Sequence, residues 1–178
     1  MVGAANDLRS FIRNVPDFPK KGIVFRDITT LLQSKEALRR SADRLSDRYL
    51  DNRIDKIVGI ESRGFIFGSI LADRLGAGFV PVRKPNKLPA SKIRAEYQLE
   101  YGSDALEIHS DAINPGERVL VVDDLLATGG TAKATCDLVR RLKGDLLGAA
   151  FLIELAFLKG RQQLAGIEVF SLISYDSE

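Results

Sequence analysis

The sequence predicts an α/β fold: a doubly wound, mainly parallel sheet with helices packed on both faces. Three observations carry this. Short apolar runs recur along the chain, at "KIVGI" (56–60), "GFVPV" (78–82), "RVLVV" (118–122), "LGAAFLI" (147–153) and "IEVFSLI" (167–173). Their apolarity is continuous rather than alternating, as in strands covered on both faces. Helix-periodic segments separate them, in the repeated order strand, helix, strand.

Taken in order, the N-terminal stretch "VPDFPKKGIVFRDITTLL" reads as irregular, because Pro16 and Pro19 restrict its start. "KEALRRSADRLSDRYL" follows as a helix, with Leu38, Leu45 and Tyr49 on one face and charges around the others. "GFIFGSILADRL" (64–75) is a helix after the first strand. After the second strand comes an excursion, "RKPNKLPASKIRAEYQLEYGSDALEIHSD", without a clean helical period. Within it, "SKIRAEYQLEY" and "ALEIH" can pair as an antiparallel ribbon joined around Gly102. A long excursion of this kind in a compact domain is commonly functional, such as a lid. "TAKATCDLVRRLK" forms the helix after the third strand, with Ala132, Cys136, Val139 and Leu142 on its buried face.

Composition narrows the function classes. The 178 residues suit one domain with a sizeable core. A formal charge of +2, with no dense Lys/Arg tract, gives no sign of nucleic-acid binding. The lone cysteine, Cys136, excludes an intrachain disulfide framework and reads as a small buried filler. The lone histidine, His109, excludes multi-histidine metal sites, and its neighbours "EIHSD" place it on the polar face of a strand. The start "MVGAANDLRSFIRNV" has no signal-peptide apolar core, and "LLGAAFLI" (146–153) is too short to span a bilayer. Cytoplasm is the expected location.

The chemistry concentrates in "VLVVDDLLATGGTAKA" (119–134), where an apolar strand ends in two adjacent acids and a loop of small residues. Strand ends at the carboxyl edge of a parallel sheet are where ligands bind. A loop leading into a helix from about Thr131 aims unpaired N–H groups, and the positive end of the helix dipole, at one point. A phosphate fits such a nest; Gly129 and Gly130 permit close approach, and Thr128 and Thr131 add hydroxyls. "TGGT" alone is equally consistent with a plain turn and a capped helix. Asp123 and Asp124 suit sugar hydroxyls, a divalent cation, or helix capping. A diol-binding acid pair beside a phosphate nest specifies a ribose phosphate. The nucleotide P-loop and dinucleotide motifs are absent.

"VLVVDDLLATGGT" resembles the phosphoribosyl-pyrophosphate motif of type I phosphoribosyltransferases. "PDFPKKGIVFRDITTLL", "GIESRGFIFG", "RKPNKLP" and "LEYGSDALEIHSDAI" are similar to the adenine-using branch of that family, from Pro16 to about Gly160. The resemblance implies a single type I phosphoribosyltransferase domain over 1–178. It would have an N-terminal hood for base recognition (about 1–34) and a flexible ribbon lid (about 84–112). The implied reaction transfers ribose 5-phosphate from phosphoribosyl pyrophosphate to adenine, giving AMP and pyrophosphate in purine salvage. Another purine base (hypoxanthine, guanine or xanthine) is the alternative.

The resemblance also implies roles. Ala127, Thr128, Gly129, Gly130 and Thr131 hold the 5-phosphate, while Asp123 and Asp124 meet the ribose hydroxyls. Ser62, Arg63 and Gly64 form the pyrophosphate loop, with Glu61 orienting it and Arg83 and Lys87 as further cations. Arg83 is expected to reach the active site of a partner subunit, which implies a homodimer. Val24 and Arg26 offer backbone groups to the adenine edge, and Phe25 and Leu125 sandwich the ring. Glu100 handles the imidazole-edge proton, and Tyr101 closes over the site. Mg²⁺ is expected to be held mainly by substrate oxygens, with no protein metal cage.

Overall fold

The computed structural model of the protein describes residues 7–98 and 103–178. The N-terminal segment, expected to be irregular, is built from short regular pieces. A 3-10 turn at Leu8–Phe11 leads into β1 (Arg13–Val15), which pairs antiparallel with β2 (Phe25–Asp27). A short helix, α1 (Thr29–Gln33), follows. These pieces are too short for periodicity to reveal, and local hydrogen bonds define them instead. Asp27 accepts from the Thr29 amide at 2.9 Å, from the Thr29 hydroxyl at 2.8 Å and from Arg13 at 2.6 Å. The Thr29 bonds first, and then Arg13, hold the Asp27 carboxyl down at about 2. Leu8, Ile12, Ile28 and Leu31 are buried in the main core, so the segment is anchored rather than appended.

Helix α2 (Lys35–Asp47) starts at Ser34, whose hydroxyl accepts from the Ala37 amide at 3.2 Å. It buries Leu45, with Tyr49 just beyond its end and Leu38 half-buried. Strand β3 (Lys56–Ile60), helix α3 (Gly64–Leu75) and strand β4 (Gly78–Val82) match the boundaries expected from the sequence. The excursion forms an antiparallel ribbon, β5 (Lys92–Gln98) with β6 (Ser103–His109). Strand β7 (Arg118–Leu126), helix α4 (Gly130–Arg141), strand β8 (Asp145–Leu155) and strand β9 (Val169–Tyr175) complete the chain.

The sheet order is β4-β3-β7-β8-β9, with every pair parallel. One core lies on the face covered by α2, α3 and the N-terminal segment, and includes Phe67, Leu71, Leu120 and Leu152. The other lies under α4 and the ribbon, and includes Val58, Val121, Phe151 and Leu138. Cys136 is buried there, as its helical spacing suggests, and burial pushes its thiol up to about 12. The ribbon's stem belongs to this core too. Ala105, Leu106 and Ile108 are buried, and Arg141 donates to the Arg94 carbonyl at 2.6 Å. His109 is half-buried at the foot of the ribbon, where Nε2 accepts weakly from the Ala90 amide at 3.4 Å. Among the described residues no helix is long and apolar enough to cross a membrane.

This strand order fixes where a ligand crevice opens. From β3 the chain winds outward to β4, and from β7 it winds the other way to β8 and β9. The winding direction reverses between β3 and β7, and the loops after these two strands splay apart over their carboxyl ends.

Candidate active site

The loop after β7 is the first wall of that crevice. Gly129 has φ +89°, a left-handed conformation that favours glycine, and it caps α4 without any side-chain hydrogen bond. The first intrahelical bond seen here runs from the Lys133 amide to the Gly129 carbonyl at 2.9 Å. The N–H groups of Gly130, Thr131 and Ala132 therefore have no partner within the helix. They open on a concavity of about 180 Å³ lined by Asp123 and by residues 125–132. An anion of phosphate size fits this nest and the helix dipole behind it.

The acids differ from expectation in one respect. Strand β7 does not stop at Val122 but continues through both, pairing Asp123 with Phe151 and Leu125 with Ile153. Pairing with β8 extends the strand past the point where apolarity ends, so the carboxylates sit on a rigid strand rather than a loop. Burial and the charge of Asp124 push the Asp123 carboxyl well above the usual range. Burial also raises Asp124, against the pull of Arg63. Arg63 Nε lies 2.9 Å from Asp124 Oδ2, an ion pair that is close but poorly aligned for a hydrogen bond.

The loop after β3 is the second wall, and its Glu61–Ser62 peptide is cis. A Cβ on Gly64 would lie 2.7 Å from Asp123 Oδ1, so the start of α3 packs against β7 and only glycine leaves room. Glu61 and Arg63 each have their own partner: Arg63 takes Asp124, and Glu61 accepts from Arg83 Nε and from the Lys84 amide, both at 3.0 Å. Glu61 thus orients the loop, and it tethers Arg83 within its own chain. Ser62 and Lys87 are exposed on the rim. Lys84 Nζ meets Asp104 at 2.8 Å and Tyr97 donates to the same carboxylate at 3.2 Å, tying the ribbon's stem to this loop.

The N-terminal segment reaches the same place. The Arg63 guanidinium stands 5.3 Å over the Phe25 ring, and Phe18 meets that ring edge-on at 5.2 Å. Val24 and Phe25 are half-buried, whereas Arg26 is buried, its side chain turned toward Asn14 and Tyr175. Leu125 is half-buried in the wall of the phosphate concavity. In this structure Phe25 faces Arg63 where the sandwich expected from sequence had a purine. Glu100 and Tyr101 lie outside the described residues.

A nest of helix-start amides, an adjacent acid pair of which Asp124 is buried, a guanidinium and an aromatic ring thus converge at the sheet's switch point. The phosphoribosyl transferase domain family matches residues 27–170, most of the chain. The chain belongs to the phosphoribosyltransferases. An adenine phosphoribosyltransferase of Acidobacterium capsulatum is 59% identical, covering 94% of this chain and 93% of its own. The crystal structure of one from Thermoanaerobacter pseudethanolicus superposes with a TM-score of 0.91 at 53% identity, covering 94% and 98%. One from Saccharomyces cerevisiae, complexed with an iminoaltritol bisphosphate and adenine, gives 0.87 at 44%, covering 93% and 96%.

This phosphoribosyltransferase also carries supports that sequence reasoning missed. The Gly160 backbone presses on the loop after β7 so closely that a Cβ there would lie 2.1 Å from the Ala127 carbonyl oxygen. A Cβ on Gly129 would meet the Gly160 carbonyl at 2.4 Å. Arg161 holds this buttress by a fork of two 2.7 Å bonds to Glu154, at the end of β8, and by one of 2.9 Å to the Val169 carbonyl. Burial alone would raise the Glu154 carboxyl, but the hydrogen bonds from Arg161 hold it below its usual range. Only the "KG" punctuation at 159–160 marks this segment in the sequence.

Proposed function

We propose that this protein is an adenine phosphoribosyltransferase of purine salvage, converting adenine and phosphoribosyl pyrophosphate to AMP and pyrophosphate. The convergence of the uncapped α4 N-terminus with Asp123, Asp124 and Arg63 at the switch point is the observation that carries it. The 5-phosphate is held by the amides and hydroxyls of residues 127–131. The ribose diol lies against Asp123 and Asp124. Pyrophosphate takes Ser62, Arg63 and Gly64, with Arg83 and Lys87 as further cations.

In the reaction the bond from the anomeric carbon to pyrophosphate breaks as a new bond forms to a purine nitrogen. The imidazole-edge proton passes to Glu100. Arg63 has a double part: adenine replaces its guanidinium against Phe25, and the released cation turns to the departing anion. Among the described residues strand β2 pairs only with β1, and the main-chain groups of Arg26 within it and Val24 just before it are presented to the purine. Tyr101 and the ribbon's end exclude water.

Mg²⁺ would be a companion of the substrate, held mainly by pyrophosphate, ribose and water oxygens, because Asp123 and Asp124 lie against the ribose diol and Asp124 is paired with Arg63. Its chemistry when bound is to neutralise charge on the leaving group. A homodimer is supported by α3, which is apolar nearly all round, with Phe65, Ile66 and Ile70 half-exposed on its outer side. A cytoplasmic location suits the single free cysteine.

The test incubates the protein with phosphoribosyl pyrophosphate, Mg²⁺ and equal adenine, hypoxanthine and guanine. AMP alone is expected. IMP or GMP formed at a similar rate would favour the reading for another base.

A further inference from the structure

The end of β9 bears on the base site from outside it. Two guanidinium groups lie against the Tyr175 ring, Arg26 at 4.2 Å from its centroid and Arg9 at 5.7 Å. Arg9 also donates to the Ser174 carbonyl at 2.7 Å. Arg26 is only 6% exposed, yet among the described residues its side-chain hydrogen-bond partners are neutral. Nη1 donates to Asn14 Oδ1 at 2.6 Å, Nη2 reaches the Ser177 carbonyl at 3.4 Å, and Nε has no acceptor. A buried cation without a carboxylate depends on whatever else faces it. Beside its hydrogen bonds, the Tyr175 ring face 4.2 Å away is what stabilises the charge. Burial raises the Tyr175 hydroxyl, so the ring stays a neutral phenol at neutral pH and the contact is cation–π.

The Arg26 side chain and main chain do different things. The side chain is locked toward β9, while the main chain forms the centre of β2, opposite Asn14 in β1. Fixing the guanidinium therefore fixes the strand next to Phe25 and Val24. The phosphate loop is braced separately, by Gly160.

We infer that Tyr175 is a positioning residue for base recognition: by clamping Arg26 from the end of β9, it sets the main-chain edge that adenine reads. This rests on the adenine reading above and adds a residue far from it in sequence. It separates the two substrates, because adenine affinity depends on the clamp and phosphoribosyl pyrophosphate affinity does not.

Steady-state kinetics on Tyr175→Leu, Tyr175→Phe and Asn14→Ala test this. In Tyr175→Leu the KM for adenine is expected to rise about tenfold, the worth of one desolvated cation–π contact. The KM for phosphoribosyl pyrophosphate and kcat should stay within about twofold of wild type, under a third of the energy of that tenfold step. Tyr175→Phe keeps the ring face and is expected to restore the adenine KM. Asn14 is exposed, so Asn14→Ala loosens Arg26 without threatening the fold and is expected to raise the adenine KM alone; it decides the matter if Tyr175→Leu does not fold. An unmoved adenine KM in these variants, a joint rise of both KM values, or no rescue by Phe overturns the inference while wild-type AMP formation leaves the adenine reading intact. A wild-type protein that forms no AMP refutes that reading, and the inference falls with it.

Discussion

Replacing Gly160 with Ala tests the link between the 156–164 buttress and the phosphate nest. The added Cβ would lie 2.1 Å from the Ala127 carbonyl oxygen and 3.2 Å from the Gly129 amide nitrogen. A relaxed carbon–oxygen contact needs about 3.3 Å, so one backbone must retreat by roughly 1 Å. The obstacle is a carbonyl and not a flexible side chain, and Arg161 is pinned to Glu154 by two 2.7 Å bonds, so the phosphate loop is the side that yields. Overpacking of this kind costs about 1–3 kcal/mol, which lowers Tm by roughly 2–4 °C per kcal/mol in a domain of this size. Catalysis suffers more, because a misplacement of about 1 Å costs on the order of 100-fold.

The assay varies each substrate at saturating levels of the other and records thermal melts. The expected result is a fall of about 100-fold in kcat/KM for phosphoribosyl pyrophosphate, with the adenine KM within about threefold, under 1 kcal/mol. Gly160→Ala with unchanged kinetics and unchanged Tm would show that the buttress does not press on the loop. Equal damage to both substrates would show a general loss of structure instead of a displaced nest.

Three further substitutions follow from the charges. Asp123→Asn keeps Oδ1, which accepts from the Asp124 amide at 2.9 Å, but removes a carboxylate whose pKa burial and Asp124 raise. Stability linked to a raised carboxyl is full below its ordinary value and lost as pH rises through the folded one. Asp123→Asn should therefore raise Tm at pH 8, by roughly 2–4 °C for each kcal/mol of burial cost relieved, give no gain near pH 4, and reduce turnover; an equal gain at both pH values would contradict the sign. Asp27→Asn acts oppositely. The native carboxyl is held at about 2, so its stabilisation is present above the ordinary 3.8 and lost as pH falls toward 2; the variant should be less stable at neutral pH and show a flatter acid limb, and an unaltered limb would remove Asp27 from the account. Glu100→Gln is expected to lower kcat far more than it weakens phosphoribosyl pyrophosphate binding by calorimetry, and equal losses would exclude its role in proton handling.

The strands and long helices were legible because each announces itself locally. β3, β4 and α3 begin and end where the apolar runs do, since a strand buried on both faces has no reason to be polar until it leaves the sheet. The same rule failed at β7 for a functional reason. There the strand continues through Asp123 and Asp124, and pairing with β8 holds two carboxylates in a place where composition alone would end the element. The N-terminal pieces failed for another reason: strands of three residues and a helix of five are specified by Asp27, Thr29 and Arg13, not by a period.

The site divides along a similar line. Residues 123–131 stand out by themselves, because adjacent acids and bare glycines are unfavourable without a ligand to justify them. Phe25 does not stand out; an aromatic in an apolar stretch reads as core, and only the resemblance assigned it to the base. Gly160, Glu154, Arg161 and Tyr175 were invisible for a deeper reason. Their work consists of contacts the fold creates, Tyr175 with Arg9 and Arg26, Gly160 with Ala127 and Gly129, and Arg161 with Glu154 and Val169, and no property of "KGR" or "SYD" encodes what will be brought against them. The groups that could touch substrate are readable from their chemical incongruity, whereas the groups that hold them still are ordinary residues made specific by position. Substitutions in the second set should therefore separate the two substrates, as Gly160 and Tyr175 are expected to do on opposite sides of the pocket, because each braces one wall and neither meets the reacting atoms.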